Sequence, residues 1–346
     1  MIPLATLYYF LCYAWNRLPE PAVLQASEAT PFHRPLGLLA QVLLHATRRL
    51  LRAGLPRTFA PHTAELTSLR GRVELAPSLG RGLLAQGRAV CSFDELTADS
   101  PLHRLLAQTL DALARAPDLP VALRRELGHV RRRLPVASTN TPLPAATAAT
   151  FRELRRQRPS SQDAFLLHVC ELVWLTALPE PAANGRRRFA DFRRDEVLMA
   201  RLFEQFTRNF FRREQRHYRV YAETIAWQAD APQPDDLALL PTMLTDTTLE
   251  ASDRKIILDT KYYAAALRPR YDRQRLISPH LYQLYAYLQN QRPASGQALE
   301  GILLYPTATQ AVDVRYTLGG HPVRVITLNL QQPWAGIAAD LLALIA

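Results

Sequence analysis

Leu244-Thr-Asp-Thr-Thr-Leu-Glu-Ala-Ser-Asp-Arg-Lys-Ile-Ile-Leu-Asp-Thr-Lys261 reads as two short strands joined by a polar turn at Ala251–Arg254. If that turn closes a hairpin, residue i on the first strand lies opposite residue 505 minus i on the second. Asp246 then faces Asp259 across the ladder. Two carboxylates so placed, with Cβ atoms roughly 5 Å apart, repel unless something compensates. A divalent cation would do so. Side chains alternate along a strand, so Asp259 and Lys261 share a face while Thr260 turns away. Carboxylates with few other protein ligands suit Mg²⁺, which keeps waters and takes phosphate oxygens as further ligands. The chemistry that follows is phosphodiester hydrolysis, with the metal polarising the phosphate and activating a water while Lys261 orients that water or stabilises developing charge.

Working outward, Gln283 and Tyr287 lie four apart on a predicted helix over Pro279–Gln289 and so share a face. Glu204 sits on a predicted helix, Asp195–Arg212, ahead of the strands. Gln283 is placed to hold substrate or water, and Glu204 to add a carboxylate. Strands are predicted at Tyr218–Trp227, around Leu244 and Leu258, and at Gly301–Tyr305 and Val323–Leu330, with a last helix from Trp334. That order gives an α/β fold, a mixed sheet flanked by helices.

The first part of the chain has a helical repeat of leucines over Leu36–Leu51, strands at Leu69–Leu75 and Arg88–Phe93 around a projecting Gly80–Gly87 hairpin or finger, and helices at Leu102–Ala114 and Val121–Leu134. Pro135–Thr150 has no periodicity and reads as a loop or linker. The boundary is expected near its end, giving an N-terminal α+β domain over residues 1–155 and a second domain over residues 156–346.

Composition sharpens the focus on the hairpin. Of 42 basic residues only two are lysines, Lys255 and Lys261, and both lie in it. Where arginine serves, this chain uses arginine, so a surviving lysine points to a need for a compact charge on a flexible stem. The formal net charge of +11 and pI near 9.9 suit a polyanionic partner such as double-stranded DNA. Arg268, Arg270, Arg273 and Arg275 are candidate phosphate contacts. Cys12, Cys91 and Cys170 are far apart and form neither a disulfide framework nor a zinc motif, which fits a reducing cytoplasm. The apolar Ile2–Trp15 stretch is too short to span a bilayer and lacks a basic lead-in, so no membrane association is expected.

Several motifs resemble the McrC family of PD-(D/E)xK nuclease subunits, found in 5-methylcytosine-specific McrBC restriction systems. They are Leu240-Pro-Thr-Met-Leu-Thr-Asp246, Ile257-Leu-Asp259-Thr-Lys261-Tyr-Tyr263, Leu281-Tyr-Gln283-Leu-Tyr-Ala-Tyr287 and Gly301-Ile-Leu-Leu-Tyr-Pro306. Tyr13-Ala-Trp15, Leu69-Arg-Gly-Arg72, Cys91-Ser-Phe-Asp-Glu95 and Asp191-Phe-Arg193 extend the likeness over nearly the whole chain. Thr245 stands where the idealised signature has proline. The resemblance implies that Asp246, Asp259 and Lys261 form the metal-binding and catalytic set; the Thr260 backbone carbonyl is a further expected Mg²⁺ ligand, Gln283 a further catalytic candidate, and Glu204, variable within the family, a lesser metal candidate. It implies that the N-terminal domain docks on a McrB-like AAA+ GTPase hexamer, with Gly71–Arg88 as a finger entering that ring. GTP would bind the partner, since this chain has no Gly-x-x-x-x-Gly-Lys-Ser/Thr loop. Two other readings stay open: a non-catalytic activator that bridges GTPase rings, and a standalone nuclease acting on free ends.

Overall fold

A computed structural model describes residues 2–21, 23–25, 34–136, 146–178, 187–263, 266–270, 273–307 and 310–346. Most of the expected linker lies outside the described residues, as do the side chains of Arg268, Arg270 and Arg273. The chain divides into two compact units, Leu39–Ala190 and a second formed by Met1–Leu38 with Asp191–Ala346. This differs from the boundary expected at 155/156 in two ways, each with a packing cause.

The first cause lies in the helix Leu4–Ala14, here α1, which belongs to the later unit. It packs on α2 (Glu196–Glu214) through aromatic rings at helical spacing, with Phe10 stacking on Phe206 at 4.7 Å and Tyr13 against Phe210 at 5.5 Å. Asn209 Nδ2 donates to the Tyr13 and Ala14 carbonyls at the C-terminus of α1, where carbonyls lack the i+4 partners of the helix interior. The second cause is the helix Ser161–Leu175, which stays with the first unit. Its Trp174 Nε1 donates to Thr109 Oγ1 of the Pro101–Ala114 helix at 2.9 Å, and the helix buries Phe165, Leu166, Val169 and Val173.

The Leu39–Ala190 unit also holds a three-stranded sheet in which Ala89–Thr97 is central. Its full-length antiparallel partner is Thr58–Leu66, a strand the sequence hides behind Pro61 and alternating polar residues. The expected Leu69–Leu75 strand shrinks to Arg72–Val73. The expected finger is a short helix, Leu75–Gly80, followed by a 3-10 turn at Leu84–Gln86. Ser78 ties it down, its hydroxyl donating to Glu74 O and accepting from Val90 N.

The second unit is built on a six-stranded mixed sheet: β1 (Arg219–Tyr221), β2 (Thr247–Glu250), β3 (Arg254–Thr260), β4 (Ala298–Pro306), β5 (Asp313–Leu318) and β6 (His321–Leu328). Their spatial order is β5-β6-β4-β3-β2-β1, with β3, β4 and β6 parallel and the other neighbours antiparallel. The central β3 is buried from Lys255 to Thr260. On one face, Ile257, Leu303, Tyr305 and Val325 form a core with Leu284, Tyr287 and Leu288 of α3 (Ser278–Gln289). Gly301 permits this close approach, since a Cβ there would meet Leu284 and Leu288 at 3.0 Å. α2 packs along β1, β2 and β3, and α4 (Trp334–Ala343) closes the chain with Trp334 stacked on Tyr9 at 4.6 Å. No described helix is long and apolar enough to cross a membrane. Cys12, Cys91 and Cys170 are free and buried.

Candidate active site

The β2–β3 register follows the rule read from the sequence: Thr247 pairs with Leu258, Thr248 with Ile257, Leu249 with Ile256 and Glu250 with Lys255. Asp246 lies one residue before this ladder. Its Oδ2 accepts from the Thr260 backbone N–H at 2.8 Å and the Thr260 hydroxyl at 2.6 Å. Thr260 therefore does not simply turn away; its hydroxyl anchors the neighbouring carboxylate.

Asp246 owes its place to a β-bulge, which the periodicity of the sequence does not reveal. β1 pairs Tyr221 with Thr248, and the next pairing on the same two segments is Thr224 with Leu244. Two residues, Ala222 and Glu223, intervene on one side, against Thr245, Asp246 and Thr247 on the other. The extra residue breaks the alternation and re-aims the side chain, the usual effect of a bulge beside a functional site. Thr245 braces it: its N–H donates to Glu223 O at 2.9 Å, and its hydroxyl accepts from Glu223 N at 2.9 Å. A proline at 245 could not make the first of these bonds. From α2, Arg208 donates to Asp246 O at 2.7 Å.

Asp259 is fully buried on β3, and among the described residues no well-aligned hydrogen-bond donor meets either of its carboxylate oxygens. Lys261 Nζ stands 2.8 Å from Asp259 Oδ2, an ion pair close enough for its charge and a strained hydrogen bond to pull the Asp259 pKa down. Burial, with the Asp246 charge added, pushes the Asp259 pKa up to about 7, against the pull of Lys261. Burial lowers the Lys261 pKa, but Asp259 more than offsets it, so the net shift is upward and the ammonium stays charged. Lys261 Nζ donates to Gln283 Oε1 at 2.8 Å, Gln283 Nε2 to Tyr287 Oη at 2.6 Å, and Tyr287 Oη to Leu244 O at 2.9 Å. The α3 face inferred from the spacing of Gln283 and Tyr287 thus holds the ammonium and the backbone two residues before Asp246.

Glu204 lines the same cleft of about 330 Å³ as Asp246, Thr260 and Lys261. It is ion-paired with Arg208 at 3.0 Å, and burial and the Asp246 charge raise its pKa. Among the described residues no group of three or more acidic, histidine or cysteine side chains has the geometry of a metal cage. That leaves the pair Asp246 and Asp259, and a two-carboxylate set is what Mg²⁺ takes when waters and phosphates supply the remaining oxygens. A fully buried carboxylate whose one close partner among the described residues is a poorly aligned ammonium, with a second carboxylate adding repulsion, is costly on its own and fits a further cation.

Sequence reasoning did not find Arg208 or Glu223. Arg208 was lost among forty arginines, and Glu223 acts from a strand whose partner was unknown. Lys255 was noticed for its residue type alone.

The family model described as "McrBC 5-methylcytosine restriction system component" matches residues 5–306. A relative from Escherichia coli (strain K12), the type IV methyl-directed restriction enzyme EcoKMcrBC, is 33% identical over 343 residues, covering 99% of this chain and 97% of the relative. A solved structure, an assembly of Thermococcus gammatolerans McrB AAA+ hexamers with bound McrC, superposes with a TM-score of 0.59. It does so at 13% identity over 99% of this chain and 76% of that one, a likeness of fold.

Proposed function

Because the chain belongs to the McrBC 5-methylcytosine restriction system component family, we propose that it is the Mg²⁺-dependent endodeoxyribonuclease subunit of a modification-directed restriction complex. It cuts double-stranded DNA when assembled with a McrB-like AAA+ GTPase hexamer, whose GTP hydrolysis it also stimulates, and it works in the cytoplasm. The observation that carries the catalytic part is the fully buried Asp259 carboxylate, under-supplied with donors among the described residues, beside Asp246 and Lys261.

Asp246, Asp259 and the Thr260 carbonyl would hold the ion, and Glu204, which lines the same cleft as Asp246, would add a carboxylate to its surroundings. Bound there, Mg²⁺ supplies Lewis acidity to the scissile phosphodiester and to the attacking water. Lys261 places a fixed positive charge where negative charge develops on the phosphoryl oxygens. Gln283 and Tyr287 set the direction of that ammonium, so no reorganisation is needed as the reaction proceeds. The Leu39–Ala190 unit, which contains most of the N-terminal stretch, carries the docking surface for the GTPase ring. The arginine-rich strand pair Leu267–Arg270 and Arg273–Leu276, just beyond Lys261, supplies phosphate contacts.

The test is cleavage of methylated and unmethylated plasmid by this chain with its GTPase partner, GTP and Mg²⁺, for wild type and Asp259→Ala. Cutting that needs the partner and disappears in the variant supports the nuclease. Equal GTPase stimulation with no cutting by either protein overturns it in favour of a non-catalytic activator.

A further inference from the structure

We infer that Lys255 and Glu223 are positioning residues for the metal-binding carboxylate Asp246, holding the bulge that aims it. This rests on the nuclease reading above.

Lys255 is the chain's other lysine, and it lies on the Asp259 face of β3, four residues before Asp259. It is only 5% exposed. Its Nζ donates to Glu223 Oε1 and to Gln291 Oε1, each at 2.8 Å. A compact ammonium suits this slot, where two acceptors converge from different segments; a planar guanidinium on a longer stem presents its donors in a different fork. Glu223 turns its second oxygen to the Thr248 hydroxyl at 3.2 Å, and that hydroxyl lies 2.9 Å from the Thr245 hydroxyl. The Glu223 backbone meanwhile exchanges both of its polar groups with Thr245. The residue before Asp246 is therefore clamped at its amide and its side chain by one glutamate, and that glutamate is fixed by one buried lysine. Bulges lack the ladder bonds that hold ordinary strand residues, so an external brace of this kind decides where the extra residue points. Residues that orient metal ligands in this way commonly change metal affinity by 10–100-fold when removed.

The variant for the test is the pair Lys255→Met with Glu223→Gln, which removes both charges together and avoids stranding one in the interior. Mn²⁺, a spectroscopic stand-in for Mg²⁺, is titrated into the full-length chain and followed by electron paramagnetic resonance. Asp259→Asn serves as the variant lacking the site, and thermal unfolding without metal is recorded in parallel. The inference expects about tenfold or greater loss of Mn²⁺ affinity with an unfolding midpoint close to wild type. In the assembled complex, the Mg²⁺ concentration needed for half-maximal cleavage should rise in step. Thr245→Val, which removes only the hydroxyl that accepts from Glu223, should shift Mn²⁺ affinity in the same direction and carries the test if the double variant fails to fold. A variant that folds and binds Mn²⁺ within twofold of wild type overturns the inference while leaving the nuclease intact. A wild-type chain with no Mn²⁺ site overturns the nuclease reading, and this inference with it.

Discussion

The two ends of strand β3 carry the same three side-chain types and close them differently. At the start, Lys255 bonds Glu223 and Gln291, and every partner is satisfied. At the end, Lys261 bonds Gln283 and ion-pairs with Asp259, whose oxygens meet no well-aligned donor among the described residues. A buried polar network is stabilising when complete and costly when partial. The complete set therefore has the character of a brace, and the thinly partnered one is the arrangement on which the proposed cation site rests. The contrast teaches that lysine, carboxylate and glutamine do not define a function; the unfilled acceptor does.

Exchanging the unfilled acceptor for a neutral amide is the sharpest way to break this comparison. Asp259→Asn should lower plasmid cleavage by roughly 10³-fold or more, because several kcal/mol of charge stabilisation are lost. It should leave the metal-free protein as stable as wild type, or more so by about 1 kcal/mol, as measured by denaturant unfolding. A large destabilisation would mean that Asp259 is structural after all.

The opposite profile is expected at the other end. Lys255→Met alone leaves Glu223 unpaired and should cost about 3 kcal/mol in denaturant unfolding, toward the lower bound for breaking a buried pair because Glu223 keeps some solvent contact. Lys261→Met should cost less than this at pH 6, where Asp259 can take up a proton in place of its lost ammonium partner, while abolishing cleavage. Equal destabilisation by the two would erase the distinction between the ends.

The pH dependence separates them further. An unfolded aspartate releases its proton near pH 4, whereas folded Asp259 holds it up to about pH 7. The native state thus binds the extra proton between these values, so its contribution to stability is full below about pH 4 and is lost as pH rises through 7, by at most about 1.4 kcal/mol per unit. Metal-free wild type should lose stability over this range relative to Asp259→Asn, and added Mg²⁺ should stabilise wild type more at pH 8 than at pH 6. Parallel curves for the two proteins would contradict the raised pKa. The smallest effect is expected for Tyr287→Phe, which removes one bond to Leu244 O and one from Gln283. It should cost about 1 kcal/mol in stability, with a several-fold fall in cleavage.

Much of the second unit was legible because its signals are local. A polar turn set the β2–β3 register, and two-residue alternation put Asp259 and Lys261 together. Four-residue spacing put Gln283 and Tyr287 on one helical face. What stayed hidden depends on partners distant in sequence. The bulge at Asp246 exists only relative to Tyr221 and Thr224. The Lys255–Glu223 brace joins residues on strands whose pairing was unknown. Thr58–Leu66 was missed because Pro61 weakens the strand pattern, although its neighbour satisfies it along its full length. The domain boundary was misplaced because α1 is defined by its fit to α2, about 180 residues later.

That last fit has a consequence for biosynthesis. As the ribosome delivers roughly 5–20 residues per second, α1 emerges some 10–40 s before the helix that will cover its Phe10 and Tyr13. For that interval its aromatic face has no native partner, and the nascent chain is most open to chaperones and aggregation. The sheet closes later still, when β4 (Ala298–Pro306) reaches β3, so Asp259 and Lys261 gain their native surroundings only after α1 has long been exposed.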